Sequence, residues 1–250
     1  MAYRLDADLE FLQDMESNEL EDLVTVLIKD KDGELRLTEE LTTSDKYKRY
    51  SPNHIQYWDL IAEEIQRFGG NTFANLLRFG EGVLYKEVLC DVCDKMKVNY
   101  NKNSTTINIE QNLFLKIFED ATREMSQEEL KEVAKELELK TTDFTANGIT
   151  MAVQFAIKKG GFKSYQIAVI VANAVMKAIF GRGLSLAANA TLTRTISIFA
   201  GPIGWIITGL WTAIDIAGPA YRVTIPAVIQ IAYLRQLYMT KSMEESTDEQ

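Results

Sequence analysis

The sequence predicts an all-α protein in which an acidic amphipathic helical bundle precedes an apolar helical bundle or hairpin punctuated by glycine and proline. Three observations support this prediction. Apolar residues recur at helical spacing along most of the chain, no segment alternates apolar and polar residues for long enough to predict a strand, and the two halves differ in charge. A chain of 250 residues can bury a substantial core.

The charge of the chain is distributed unevenly. Residues 1–144 contain 31 acidic and 18 basic side chains, whereas residues 145–242 contain nine basic side chains and one acidic side chain, Asp215. A basic, apolar second half is expected where a protein meets a membrane surface. The same asymmetry is expected if the two halves dock on each other, so charge alone leaves both interpretations open.

Capping residues and glycines predict where the first helices begin and end. Asn18 and Glu21 are spaced as a capping pair before an apolar helical face, and the DKDG turn at residues 30–33 ends that helix. Ser51 and Pro52 predict the start of another helix, because proline is favoured in the first helical turn. We expect that helix to end at the glycine pair 69–70.

Three more helices follow in the first half. One is predicted over about residues 82–96, and another follows the polar loop 99–106. Ser126 and Glu129 form a capping box for the third. The helix after the polar loop has an apolar face that contains Leu113, Phe114, Ile117 and Phe118.

The second half is predicted to contain about five helices, separated by glycine-containing breaks. The breaks lie at residues 160–161, 181–183, 201–202 and 218–219. The helices begin near Thr145, Ser164, Leu184, Pro202 and Pro219. We therefore predict an N-terminal helical module over 1–35, an acidic helical domain over 36–144, an apolar helical region over 145–241 and a disordered acidic tail over 242–250.

An uncharged run at residues 195–214 raises the question of membrane insertion. Its twenty residues would span about 30 Å as a helix, which matches a bilayer core. The run contains small and aromatic residues that suit helix packing or a membrane interface, namely Gly201, Gly204, Trp205, Gly209 and Trp211. Pro202 interrupts the run, and Arg222 and Pro226 lie in the segment that follows.

Three interpretations of this region stay open. In the first, the region is a helical core shielded by the acidic half. In the second, it is an amphipathic hairpin that enters or lies on a membrane only under certain conditions. In the third, it is a permanent pair of transmembrane helices. A basic patch formed by Lys158, Lys159 and Lys163, with Phe162 among them, would suit a lipid headgroup boundary. Cations in the last turn of a helix, which complement its dipole, explain the same lysines without lipid.

The sequence contains no combination of residues that predicts catalysis or cofactor binding. Cys90 and Cys93 would need two further zinc ligands, but the chain has one histidine, His54, and no other cysteine. We expect both cysteines to be structural and His54 to be exposed to solvent. An acidic chain without a basic stripe disfavours nucleic-acid binding. We predict no metal, no cofactor and no enzymatic activity.

Several stretches carry a family resemblance. YWDLIAEEIQRFGGNTFANLLR, GVLYKEVLCDVCDKMKV and above all AYRVTIPAVIQIAYLR, with Tyr221, Arg222 and Pro226, resemble the bacterial YaaW family. The first residues resemble a short N-terminal module of unknown function. Related sequences are grouped loosely with ubiquinol–cytochrome c chaperones. The resemblance implies an all-helical bacterial protein that assists assembly of a membrane respiratory complex, and it supplies no catalytic residues.

From this combination we predict a non-enzymatic bacterial protein whose glycine-rich C-terminal helices interact with a membrane. The acidic half would restrain these helices or bind a protein client. The alternative is a soluble, all-helical chaperone or adaptor with a packed apolar core. The expected partners are membrane lipid, a membrane-protein client or another protein, and a homo-oligomer is compatible with the sequence. With no signal peptide evident, we expect a cytoplasmic protein that associates with the inner membrane.

Overall fold

The computed structural model describes residues 3–37, 39–72, 83–159, 161–185, 193–217 and 220–248. Across these ranges it contains ten α-helices and no strand, which confirms the predicted all-α class. The helices are α1 (Ser17–Ile28), α2 (Asp45–Tyr50), α3 (Trp58–Thr72), α4 (Tyr85–Lys95), α5 (Thr106–Arg123), α6 (Gln127–Glu136), α7 (Ala146–Lys159), α8 (Phe162–Phe180), α9 (Thr193–Ala217) and α10 (Tyr221–Asp248).

The start of α1 differs from the prediction. Glu16, not Asn18, occupies the cap position, and its backbone N–H donates to a carboxylate oxygen of Glu19 over 2.9 Å. Asn18 lies inside the helix. Glutamate is an uncommon cap residue, so the serine- and asparagine-based rule placed the cap two residues too late.

The predicted start and end of α3 are both wrong. The helix begins at Trp58 rather than at Pro52, and it continues through the glycine pair that was expected to stop it. The reason for a glycine at position 69 is packing. A Cβ atom there would lie 2.3 Å from Cγ2 of Val88, so only glycine lets α3 and α4 approach this closely.

The helices α5 and α6 follow the sequence pattern. All four predicted apolar residues of α5 (Leu113, Phe114, Ile117 and Phe118) are buried. The capping box of α6 is confirmed: the backbone N–H of Glu129 donates to Oγ of Ser126 over 3.3 Å, and the backbone N–H of Ser126 donates to Oε2 of Glu129 over 2.7 Å.

Two predicted breaks in the second half are present and one is absent. The breaks near 160–161 and 181–183 separate α7 from α8 and end α8, where Gly181 has a φ of 70°. The break predicted at Pro202 is missing, since α9 continues through it. A proline inside a helix removes one backbone hydrogen bond, but the fully buried neighbours Phe199 and Ile203 anchor α9 in the core. Residues 218–219 lie outside the described ranges.

The predicted disordered tail after residue 241 is also helical as far as Asp248. Lys241 is the last residue before the predicted tail, and it forms ion pairs with Glu16 at 3.2 Å and with Glu19 at 2.5 Å. These ion pairs hold this part of α10 against the start of α1. Helix α10 then continues beyond Lys241. Serine hydroxyls supplement the helix, as Oγ of Ser242 donates to the Tyr238 carbonyl over 3.0 Å.

The apolar core is continuous between the two halves of the chain. Helix α8 is buried almost all round, and it packs on α9 and α10. The rings of Phe118 in α5 and Phe199 in α9 lie 4.7 Å apart, across the predicted boundary at residue 144. A helix that is apolar all round needs such a covering, which explains the composition of α8. The predicted boundaries at 35, 144 and 241 stay a prediction.

Candidate functional site

The outward side of α7 carries large apolar side chains in solvent. Ile149, Val153 and Ile157 form its buried side, and α7 packs mainly on α5. On the opposite side Met151 is 70% exposed and Phe155 is 62% exposed, one helical turn apart. An exposed pair of this size contrasts with the near-complete burial of α8, and it makes this side of α7 the leading candidate for an interaction surface.

Two exposed lysines border these apolar residues. Lys158 and Lys159 lie in the last turn of α7, and Nζ of Lys159 lies 4.5 Å above the centre of the Phe155 ring. This is a cation–π contact. We call Met151, Phe155, Lys158 and Lys159 the α7 face. Phe162, which opens α8 just beyond it, is 47% exposed.

The third lysine of the predicted basic patch is placed differently. Lys163 is partly buried, and its Nζ lies 3.1 Å from a carboxylate oxygen of Glu138. The structure therefore brings two of the three patch lysines to the surface beside apolar side chains and engages the third in an ion pair.

The glycine- and tryptophan-rich run forms part of α9. Only Gly204, of its three glycines, faces another helix within the described part of the chain: a Cβ there would lie 3.9 Å from Cβ of Ala178 in α8. Added Cβ atoms at Gly201 and Gly209 would meet open space. Trp205 is 67% exposed, and the side chain of Trp211 lies outside the described residues.

The family motif lies at the start of α10. The Tyr221 hydroxyl donates to Oδ1 of Asp91 over 3.1 Å, and Nζ of Lys95 lies 5.3 Å above the Tyr221 ring. Burial, followed by the charge of Asp91, raises the pKa of Tyr221 to about 12. Arg222 is half-buried, and Pro226 is buried within the helix. Tyr221 thus joins the start of α10 to α4.

A buried ion pair that sequence reasoning missed joins α5 to α10. Nε of Arg235 donates to both carboxylate oxygens of Glu110, over 2.9 and 3.1 Å, and the Tyr85 hydroxyl donates to Oε1 over 2.7 Å. Arg235 also donates to the Asp8 carbonyl over 2.6 Å and lies 4.5 Å above the Phe11 ring. Burial raises the pKa of Glu110, and the guanidinium of Arg235 opposes that rise.

The sequence did contain a signal for this pair. Glu110 follows Ile109 on the side of α5 that carries the apolar face, and Arg235 follows the apolar run that ends at Leu234. A charge on the buried side of an amphipathic helix needs a partner inside the protein. What the sequence did not reveal is which helix supplies that partner.

A second buried carboxylate joins α1 to the segment after α8. Asp22 is 5% exposed and accepts from Nη1 of Arg182 over 2.8 Å, from the Ser185 backbone N–H over 2.6 Å and from the Ser185 hydroxyl over 2.7 Å. With the pairs made by Arg235 and Lys241, this contact places basic residues of the second half against acidic residues of the first. Docking of the halves therefore accounts for part of the charge asymmetry.

His54 is buried, which corrects the expectation that it faces solvent. Its exposed fraction is 3%. One ring nitrogen lies 2.5 Å from the Tyr57 hydroxyl and the other 2.7 Å from a carboxylate oxygen of Glu21. Burial raises the pKa of Tyr57 to about 12. His54 therefore links α1 to the turn that precedes α3.

The cysteines are free thiols on α4. Cys93 is fully buried and Cys90 partly so. Burial raises the pKa of both thiols, so they are protonated near neutral pH and are poor nucleophiles. The described residues contain no group of three or more histidine, cysteine, aspartate or glutamate side chains able to hold a metal ion.

Membrane-spanning potential is absent from the described helices. None of them combines the length and the apolar character required to cross a bilayer.

Comparison with known proteins gives consistent family matches. Residues 53–229 match a family described as ubiquinol-cytochrome C chaperone, and residues 3–37 match a short domain of unknown function. A UPF0174 protein of Helicobacter pylori strain J99 is 59% identical over 94% of this chain and 93% of its own length. The UPF0174 protein YaaW of Escherichia coli strain K12 is 30% identical over 94% and 96%, respectively.

A second UPF0174 protein of Helicobacter pylori strain J99 is 45% identical over 80% of this chain and 98% of its own length. No solved structure matches the chain. The family model covers most of the chain, and these relatives align over most of both lengths. The chain therefore belongs to the UPF0174 (YaaW) family and carries the ubiquinol-cytochrome C chaperone domain.

Proposed function

We propose that this protein is a non-enzymatic, chaperone-like helical scaffold that binds a protein client through the α7 face. The family description supports a protein client, and it suggests a component of a ubiquinol–cytochrome c system. The single observation that carries the site is the exposure of Met151 and Phe155 on one side of a helix whose other side is fully packed.

The chemistry of the α7 face suits an amphipathic protein segment. Burying a large apolar side chain contributes about 1.5–3 kcal/mol, so Met151 and Phe155 together could supply a useful part of a binding free energy. Lys158 and Lys159 at the edge would favour acidic residues in the client. A client helix with an apolar stripe and an acidic border would match both features.

Charge supports protein over lipid as the ligand of this face. Binding to anionic membranes generally uses clusters of four to eight basic residues, each contributing about 1 kcal/mol. The α7 face has two lysines, and Lys163 is paired with Glu138. Arg182, Arg235 and Lys241 also form ion pairs within the protein, so they do not enlarge the cluster.

A second candidate function, lipid binding, is favoured by Trp205. Its indole is 67% exposed on the glycine-bearing side of α9, and tryptophan is enriched at membrane interfaces. We propose this only as the alternative to client binding. Cytoplasmic location, inner-membrane association and homo-oligomer formation stay predictions.

One experiment with two parts, on the full-length protein, distinguishes client binding from lipid binding. A Met151→Asp, Phe155→Asp variant places two negative charges on the α7 face. Lys131→Asp, which changes the charge at an exposed position of α6, is the matched control. Proteins that co-purify from bacterial cells are quantified by mass spectrometry for each form. Client binding predicts that a defined set of proteins is retained by wild type and by Lys131→Asp and is reduced at least tenfold by the double variant.

Flotation with vesicles that contain anionic lipid tests the lipid-binding alternative. Client binding predicts that wild-type protein stays with the unbound fraction. If the protein floats with the vesicles and a Trp205→Ser variant does not, the lipid alternative replaces it. Equal recovery of all proteins by wild type and by the double variant would contradict a client site on α7.

A further inference from the structure

The end of α10 is an exposed acidic helix. Residues 242–246 are all exposed to solvent, and the helix continues to Asp248. Five consecutive residues cover every side of a helix, so this stretch presents its whole circumference to solvent. We call residues 242–246 the α10 tip. It contains Glu244, Glu245 and Met243, whose side chain is 47% exposed.

The α10 tip and the α7 face are complementary in charge. The tip presents Glu244 and Glu245, and the α7 face presents the exposed Lys158 and Lys159. In the described part of the chain, the ion pairs at this end of α10 are made by Lys241 with the start of α1. Opposite charges on two exposed surfaces steer those surfaces together and fix their register.

Both surfaces also have apolar side chains. Met151 and Phe155 are exposed on the α7 face, and Met243 is partly exposed on the α10 tip. A methionine thioether makes favourable contacts with an aromatic ring, so Met243 suits the ring of Phe155. The α10 tip therefore has the chemistry expected of a ligand of the α7 face, which is an apolar side chain with acidic neighbours on a helix.

The two surfaces lie near each other on one molecule. Phe162 opens α8 just after the end of α7, and its ring centre lies 6.0 Å from that of Tyr165. Tyr165 in turn stacks on Tyr233 of α10 at 6.4 Å. Burial raises the pKa of Tyr165, and the charges of Glu19 and Glu244 add to this rise. The start of α8 therefore connects the α7 face to the α10 tip, and both surfaces remain exposed.

We propose that a second copy of this chain places its α10 tip on the α7 face, and that the contact is reciprocal. When two complementary patches lie close together on one molecule, a two-fold rotation places each patch opposite its complement on the partner copy. The dimer then has two equal contacts, each of which joins Glu244 and Glu245 of one copy to Lys158 and Lys159 of the other.

This inference deepens the proposed function, and it rests on the α7 face being an interaction surface. A client helix with an apolar stripe and an acidic border would compete with the second copy for the same face. Self-association would thus cover the apolar side chains of the α7 face until a client displaces the α10 tip.

Reversal of charge on either surface tests the dimer. Sedimentation equilibrium of the full-length protein measures the Kd of self-association for wild type, for a Lys158→Glu, Lys159→Glu variant and for a Glu244→Lys, Glu245→Lys variant. Each variant places like charges opposite each other at both contacts. We therefore expect self-association of each variant to be weaker than that of wild type by at least about tenfold.

An equimolar mixture of the two variants gives the decisive measurement. In the mixed pair both contacts again join opposite charges, because the reversed lysines of one chain meet the reversed glutamates of the other. We expect a heterodimer with a Kd within about threefold of the wild-type value. A Lys131→Glu, Lys135→Glu variant, which reverses two exposed charges on α6, is the matched control and should dimerise like wild type.

Wild-type protein that stays monomeric throughout the micromolar range would overturn the proposal. So would reversed variants that dimerise as well as wild type. A mixture that stays monomeric would also overturn it, because mixing cannot restore a contact made within one molecule. No client is present in these measurements, so self-association and client binding can fail independently of each other.

Discussion

Single charged residues inside the protein connect distant parts of the chain. Arg235 in α10 contacts Glu110 in α5, the Asp8 carbonyl and the Phe11 ring. Glu110 is fully buried, so its charge depends on Arg235 and on the Tyr85 hydroxyl. One guanidinium group in α10 thus links Glu110 of the matched chaperone domain to the N-terminal segment.

Replacing Arg235 should therefore destabilise the whole protein. In Arg235→Ala the Glu110 carboxylate would be buried without its cation, and breaking such a pair typically costs about 3–5 kcal/mol. Urea unfolding followed by circular dichroism measures the change, with Lys131→Ala as the exposed control, which should change stability by less than about 0.5 kcal/mol. A loss below about 1 kcal/mol for Arg235→Ala would show that the pair is dispensable.

Tyr57, which is buried, and Tyr221, which is partly buried, should make stability depend on alkaline pH. The pKa values of Tyr57 and Tyr221 are raised to about 12 in the folded protein, against about 10 in an unfolded chain. The native state holds these protons more tightly, so their contribution is complete below about pH 10 and is lost as the pH rises towards 12. Unfolding free energies measured from pH 9 to 11.5 should fall, and the fall should be smaller in a Tyr57→Phe, Tyr221→Phe variant. Identical pH profiles would refute this assignment.

The helices show which features of the fold a sequence can predict. Periodicity and capping predicted α5 and α6 because their apolar faces and cap residues are local properties of the chain. The glycine pair in α3 was misinterpreted as a helix end, since its role depends on Val88 in a different helix. The break predicted at Pro202 is absent for a similar reason. Burial of α9 outweighs the local preference of proline against a helix interior.

The same distinction applies to the candidate site. Lys158 and Lys159 were identified from sequence, since a run of lysines is a local feature. The exposure of Met151 and Phe155 could not be predicted, because α7 has apolar residues on more than one of its sides. Only its packing on α5 decides which side is buried.

Packing between α3 and α4 should be sensitive to one methyl group. Gly69→Ala would place Cβ 2.3 Å from Cγ2 of Val88, and such overpacking costs about 1–3 kcal/mol, less the small gain in helix propensity. Gly70→Ala is the matched control, because its Cβ would lie at an ordinary 3.6 Å from Val83. It should leave stability unchanged or raise it by up to about 1 kcal/mol. Chemical denaturation measures both variants.

A Val88→Ala change in the Gly69→Ala background should recover part of the loss, because it removes the clashing Cγ2 atom. If Gly69→Ala and Gly70→Ala have equal stability, the close approach of α3 and α4 is not a requirement of the fold.

At the scale of the whole molecule, part of the uneven charge of the chain is used for docking the two halves on each other. Basic residues of the second half contact acidic residues of the first through Arg182 with Asp22, Arg235 with Glu110, and Lys241 with Glu16. Packing on α9 and α10 covers the apolar helix α8 with protein, whereas the α7 face lies at the surface. This arrangement supports the proposal that the family's role depends on a protein client.

Site-specific photo-crosslinking is the most direct test of client binding at the α7 face. A photoreactive phenylalanine analogue replaces Phe155 in one variant and Lys131, an exposed residue of α6, in another. Living bacteria that contain either variant are then irradiated. We expect discrete protein adducts from position 155 that are absent from position 131 and are suppressed when Lys158 and Lys159 are changed to glutamate. Adducts of equal pattern from both positions, or adducts to lipid alone from position 155, would contradict it.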